Sequence, residues 1–201
     1  VMQGFGELVF NVWAEVAIDG AEAEPIAPLA YCRIRSIDLY AQSFRMLEAA
    51  GAARFTERVT TPAAPASDAP GPFRLEREQG EAIWAHRVFD SRPPQFEPAS
   101  PTDVRLSQSF FGWRIRLNRP TSAWNERAIH MMDFQVAQGP EGEFQFMYVL
   151  PEGPDHGLVE LTRFGAEQLG AEEAKPVLAG YIESRFGPFE QLESEAGNIP
   201  M

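Results

Sequence analysis

The chain has 201 residues, 44% of them hydrophobic and 23% charged, with a net charge of −12 and an isoelectric point of about 4.7. That is ordinary globular composition with enough apolar mass for a core, and its acidity argues against a nucleic-acid partner, because phosphate binding needs a basic face. The single cysteine, Cys32, rules out an internal disulfide and favours a reducing compartment.

In chain order, ELVFNVWAEVAI (7–18) predicts a strand and DGAEAEPIAP (19–28) a loop. Ile37, Tyr40, Phe44, Met46 and Leu47 recur at helical spacing, with Ser36 as N-cap and Gly51 as a stop, so 36–50 predicts an amphipathic helix. RFTERVTT (54–61), FRLEREQG (73–80) and EAIWAHRVFDSRPP (81–94) predict an antiparallel meander, with TPAAPASDAPGP (61–72) as a low-complexity connection. After a loop at 94–103 the pattern is strongly β. SFFGWRIRLN (109–118), IHMMDFQVAQ (129–138), EFQFMYVLP (143–151) and HGLVELTRF (156–164) alternate with period two between short Gly/Pro turns, which predicts an antiparallel sheet. Residues 165–186 predict a helix that Pro176 must kink or divide, and the last residues return to strand and loop. No apolar run approaches the roughly 20 residues of a membrane span. VMQGFGELVF lacks the form of a signal peptide, and both ends read as those of a segment cut from a longer protein.

His86, His130 and His156 lie far apart, without metal-ligand spacing. No GxSxG elbow occurs, and GFGELV (4–9) has Val where a dinucleotide loop needs its last Gly. Cys32 reads as a small core residue. Carboxylates remain. Leu158, Glu160, Thr162 and Phe164 share one face of their strand, and strict alternation puts Asp133 with Ile129, Met131 and Gln135. A carboxyl among Phe, Met and Leu has a raised pKa, because desolvation favours the neutral acid, and a neutral acid in an apolar pocket donates protons well. An ionised Asp133 nearby would raise Glu160 further. The residues alone leave other readings open: Glu160 on a solvated face, or bonded to Thr162 or an arginine, and Asp133 as a turn organiser.

Five short motifs in order resemble the flavin-dependent lycopene cyclases of carotenoid biosynthesis. They are Gln108, Phe110, Gly112 and Trp113; Met132, Asp133 and Phe134; Phe146 with Tyr148-Val149-Leu150-Pro151; Leu158-Val159-Glu160 with Thr162 and Phe164; and Glu195, Gly197, Ile199, Pro200 and Met201. VFDSR (88–92) also fits, and the resemblance spans about 31–201. It implies an α+β fold: an antiparallel-sheet substrate domain with flanking helices, plus part of a split Rossmann-like FAD domain. The corresponding division is 1–94 as a partial FAD-domain segment and 95–201 as the substrate domain carrying MDFQ, YVLP, LVELT and EAGNIPM. The implied activity is redox-neutral cyclisation of the ψ-ends of lycopene to β-rings. Glu160 is then the catalytic acid/base with Asp133 as its partner, and Asp90, Ser91 and Arg92 touch the cofactor. Phe110, Trp113, Phe134, Phe146 and Tyr148 contact substrate; aromatic faces stabilise a carbocation. The cofactor is reduced FAD, with NAD(P)H as electron source and most of the FAD site outside these residues, so the segment alone is inactive. The substrate implies a cytoplasmic protein peripheral to the membrane, with no metal. Gln135 stands where the family carries Arg, and Leu161 where some members carry a second acid. Two other readings stay open: another FAD-dependent monooxygenase or halogenase, and a non-catalytic carotenoid- or lipid-binding protein.

Overall fold

The computed structural model describes residues 4–60, 73–92 and 106–201. The alternating segments become β7 (Ser107–Leu117), β8 (Ala128–Asp133), β9 (Phe144–Pro151), β10 (His156–Gly165) and β11 (Phe189–Pro200). With β2 (Glu15–Ile18) and β3 (Glu24–Pro25) they build a seven-stranded sheet in the order β11-β7-β10-β9-β8-β2-β3. Every pairing in it is antiparallel except β2 with β8. The fold is therefore mixed α+β around a mainly antiparallel sheet, as the sequence predicts.

The chain forms two compact units, Val1–Leu39 with Pro98–Met201, and Tyr40–Glu97. In the first, the predicted strand 7–18 is interrupted at Ala14. Its first part, β1 (Val9–Trp13), pairs with β4 (Tyr31–Ile34) in a separate ribbon, while β2 joins the large sheet. The Trp13 indole is fully buried and donates to the Pro151 carbonyl (2.8 Å), which ties that ribbon to the end of β9. Helix α1 (Ser36–Ala49) forms as its spacing predicts, yet it buries no residue: Ile37, Tyr40 and Leu47 are exposed.

In the second unit the predicted meander is only partly formed. β5 (Phe73–Leu75) and β6 (Ile83–Ala85) make a short hairpin, and residues 54–60 contribute a single bridge, Val59 to Arg77. The connection at 61–72 and the loop at 94–103 fall outside the described residues.

Helix α2 (Ala171–Phe186) covers one face of the large sheet. Ala174, Leu178, Tyr181, Ile182 and Phe186 form its buried stripe. They pack on Trp113, Ile115, Val149, Val159 and Leu161 from β7, β9 and β10. Burying each such aliphatic or aromatic side chain contributes about 1.5–3 kcal/mol. The helix runs through Pro176 undivided. The ring removes a bond only to Glu172, an exposed first-turn residue whose carbonyl water can satisfy. The helix starts at 171 rather than 165 and stops at Gly187, whose φ of 90° suits glycine.

The central strand, β10, is flanked on both sides by long partners. Gly157 permits its close approach to β9: a Cβ there would run into the Leu150 carbonyl and stand 2.9 Å from the Trp124 ring. Gly157→Ala is expected to cost about 2–3 kcal/mol, read as a lowered thermal midpoint.

Candidate active site

Alternation on β10 sends Val159, Leu161 and Arg163 toward α2 and Leu158, Glu160, Thr162 and Phe164 to the opposite, more open face. Arg163 is only 2% exposed yet its charge is matched, by the Gln145 amide oxygen (3.0 and 3.1 Å) and by Glu173 (3.0 Å). Its role is therefore to hold β10 against α2.

The open face carries the candidate chemistry. Glu160 lines a cavity of about 490 Å³ together with Tyr31, Arg33, Gln108, Tyr148 and Glu195. The Glu160 carboxyl is pushed up to about 7, chiefly because burial disfavours its charged form and secondarily because Glu195 is negative. A hydrogen bond donated by the Thr162 hydroxyl (3.1 Å) and the Arg33 charge oppose the shift. Arg33 is held by Glu152, which also binds Arg114. Tyr148 faces Glu160 across the strand pair, and burial pushes its phenol up as well.

A carboxyl with a raised folded pKa binds its proton more tightly folded than unfolded. Its stability contribution is present below about pH 4.5 and is lost as pH rises through about 7. Glu160→Gln removes this titration. The variant is expected to match the native protein near pH 5 and to exceed it near pH 9 by roughly 1–3 kcal/mol in urea unfolding.

Phe134, Phe146, Tyr148 and Phe164 pack as a continuous aromatic group beside the acid, with ring centroids 5.2–6.0 Å apart at Phe146. Phe110 lies one row from Glu160, opposite Thr162, with its ring over Gly197. Four of the five aromatic residues expected at the substrate thus share the acid's face. Trp113 does not. On β7 the alternation gives Gly112 to the open face and turns Trp113 to the α2 face, where it packs against Phe111 and Phe189.

Asp133 is also elsewhere. An irregular register between His130 and Asp133, with Met132 at a φ of 51°, interrupts the alternation on β8. The bulge turns Asp133 onto the α2 side. There its carboxylate is 1% exposed, accepts a hydrogen bond from the Tyr181 hydroxyl (2.7 Å) and pairs with Arg185 (2.7 Å). Arg185 also reaches the Gln135 amide oxygen (3.4 Å), so a guanidinium from α2 serves Asp133 where Gln135 replaces the family arginine. Burial and the bond to Asp133 push the Tyr181 phenol up. The carboxylate that faces Glu160 is Glu195, which the sequence places in a motif without marking its role.

Asp90, Ser91 and Arg92 lie in the second unit. Arg92 donates to the Asp90 carboxylate through Nε, Nη2 and its backbone N–H, and to the Val59 carbonyl through Nη1. These bonds hold Asp90 down to about 2. A flavin pyrophosphate needs free donors. With Arg92 spent inside the segment and no glycine-rich loop in the sequence, these residues do not by themselves fit a flavin. Among the described residues, no group of three or more His, Cys, Asp or Glu could hold a metal ion, and no helix is long and apolar enough to cross a membrane.

The lycopene cyclase protein family model matches residues 2–201. The chain belongs to the lycopene cyclase family. No curated protein matches it in sequence. Among solved structures it is similar in fold to the halogenase PltM in complex with ethyl mercury and mercury (11% identity, TM-score 0.56, 98% of this chain and 45% of that one). It is likewise similar to a triple mutant of the flavin-dependent brominase Bmp2 (11%, 0.56, 99% and 54%). A third match is a geranylgeranyl bacteriochlorophyll reductase-like protein from Thermoplasma acidophilum (12%, 0.52, 96% and 51%). At these identities the likeness is one of fold, and this lycopene cyclase family chain spans about half the length of the structures it matches.

Proposed function

We propose that the protein to which this chain belongs cyclises the ψ-ends of lycopene to β-ionone rings, with Glu160 as the proton donor. The observation that carries this reading is the Glu160 carboxyl, half-buried in a cavity it shares with Tyr31 and Tyr148, where burial pushes it up to about 7. A terminal carbon–carbon double bond is a very weak base, so it needs a neutral acid shielded from water. Glu160 gives its proton to that double bond, the resulting carbocation is attacked by a neighbouring double bond to close the ring, and a ring proton leaves. One proton enters and one departs, with no net redox change. Tyr148, which lines the cavity beside Glu160, supplies an aromatic ring that can stabilise a nearby cation by about 0.5–2 kcal/mol.

The whole protein carries FAD in this proposal, kept reduced by NAD(P)H and held mostly by residues beyond these 201. It is cytoplasmic and peripheral to the membrane, because a carotenoid dissolves in the bilayer. A second reading is favoured by the fold shared with the flavin-dependent brominase: a flavoenzyme that halogenates or hydroxylates its substrate. The deciding experiment expresses the full protein in lycopene-accumulating cells and analyses the pigments. β-Ring products support the cyclase, halogenated or hydroxylated products support the second reading, and bound but unaltered lycopene indicates a binding protein.

A further inference from the structure

We propose that Glu195 is a positioning residue that keeps Glu160 loaded with its proton: the two carboxylates face each other on the open side of the sheet across Gly112. The geometry stands by itself; its catalytic meaning rests on the cyclase reading above.

The register defines the arrangement. Glu160 pairs with Gly112, and Gly112 pairs with Glu195 on the next strand. Tyr148 completes the row on the other side. Adjacent strands lie about 4.8 Å apart, so the backbones of Glu160 and Glu195 stand about 10 Å apart, within reach of two glutamate side chains that line one cavity. Nothing stands between them on β7. A Cβ at 112 would lie 3.2 Å from Leu158 Cδ1 and 3.3 Å from Glu160 Cβ, so a larger residue would crowd the acid and close the gap.

The other groups around Glu160 do not cancel this arrangement. Thr162, on the same strand, donates a neutral hydrogen bond. Tyr148 from β9 keeps its phenolic proton through burial, and Tyr31 from β4 presents a second phenol to the cavity. Arg33 from β4 is the cation facing Glu160, but its guanidinium is bound to Glu152. Arg114, one row away on β7, is shared between Glu152 and Glu193. His130 from β8 also lines the cavity, but burial pushes its imidazole down and disfavours its charged form. The arginines near the acid are thus already matched, while Glu195 is exposed and, among the described residues, has no ion-pair partner. A like charge across the gap penalises ionised Glu160 and leaves the neutral acid untouched. It therefore favours the state that can donate, and it favours reprotonation after each donation.

The test uses the full protein without substrate. The protonated-carboxyl C=O band of Glu160, identified by its loss in Glu160→Gln, is followed from about pH 5 to 9 by infrared difference spectroscopy. Glu195→Gln is expected to lower the Glu160 midpoint by roughly half to one pH unit. Glu195→Lys should lower it further, and Glu195→Asp should leave it near the native value. The alkaline limb of cyclisation should move in the same order. An unchanged midpoint in both Glu195→Gln and Glu195→Lys overturns the proposal, whatever happens to activity. If Glu160→Gln still cyclises lycopene, the cyclase assignment of the acid falls, while the Glu160 midpoint in the Glu195 variants still decides the electrostatic claim.

Discussion

Glu160→Gln in the full protein is expected to reduce lycopene cyclisation by about 10²–10⁴-fold, the range typical for loss of a positioned general acid. The amide keeps the shape and can still accept the Thr162 hydroxyl, so binding and folding should survive. It has no acidic proton to give. The measurement is ring formation in lycopene-accumulating cells beside a stability measurement on the purified variant. Full activity in the variant would remove Glu160 from the chemistry. A loss of activity matched by a loss of fold would make the residue structural.

Asp133→Ala should show the opposite pattern, with a fall in unfolding free energy of about 3–5 kcal/mol. The Tyr181 hydroxyl would be left buried without its partner, and Arg185 would lose its counter-charge. Domain stabilities are about 5–15 kcal/mol, so this loss is a large fraction of the total. Asp133→Asn retains an acceptor for Tyr181 and should cost only about 1–2 kcal/mol. Urea unfolding of the two variants reads the difference. If Asp133→Ala leaves stability intact while abolishing cyclisation, then Asp133 is part of the chemistry despite its place under α2.

The sheet was legible in the sequence because alternation in an antiparallel strand is a local property. The runs at 109–118, 143–151 and 156–164 each read correctly from their own residues, and so did the face that Glu160 shares with Leu158 and Thr162. What local alternation cannot carry is the relation between strands. That Glu195, Gly112, Glu160 and Tyr148 form one row depends on register across four strands, which is set by packing and turns. The placement of Asp133 failed for a related reason. Nothing in MDF announces that Met132 adopts a positive φ, yet that one residue moves the next side chain to the other face. The strand expected at 54–61 shrank to a bridge, because its alternation has only a short hairpin to pair with.

The mounting of Glu160 limits what the acid can do. It sits on β10, a strand hydrogen-bonded along both edges and packed through Val159 and Leu161 on α2. Such a support does not swing, so the proton is offered only within one side chain's reach of a fixed place on the sheet. On the proposed function, a long molecule with two reactive ends cannot have both served at once by this carboxyl. The second ring requires the half-finished product to leave, turn end for end and enter again. How firmly the cavity holds a molecule with one ring then decides whether the protein makes singly or doubly closed product.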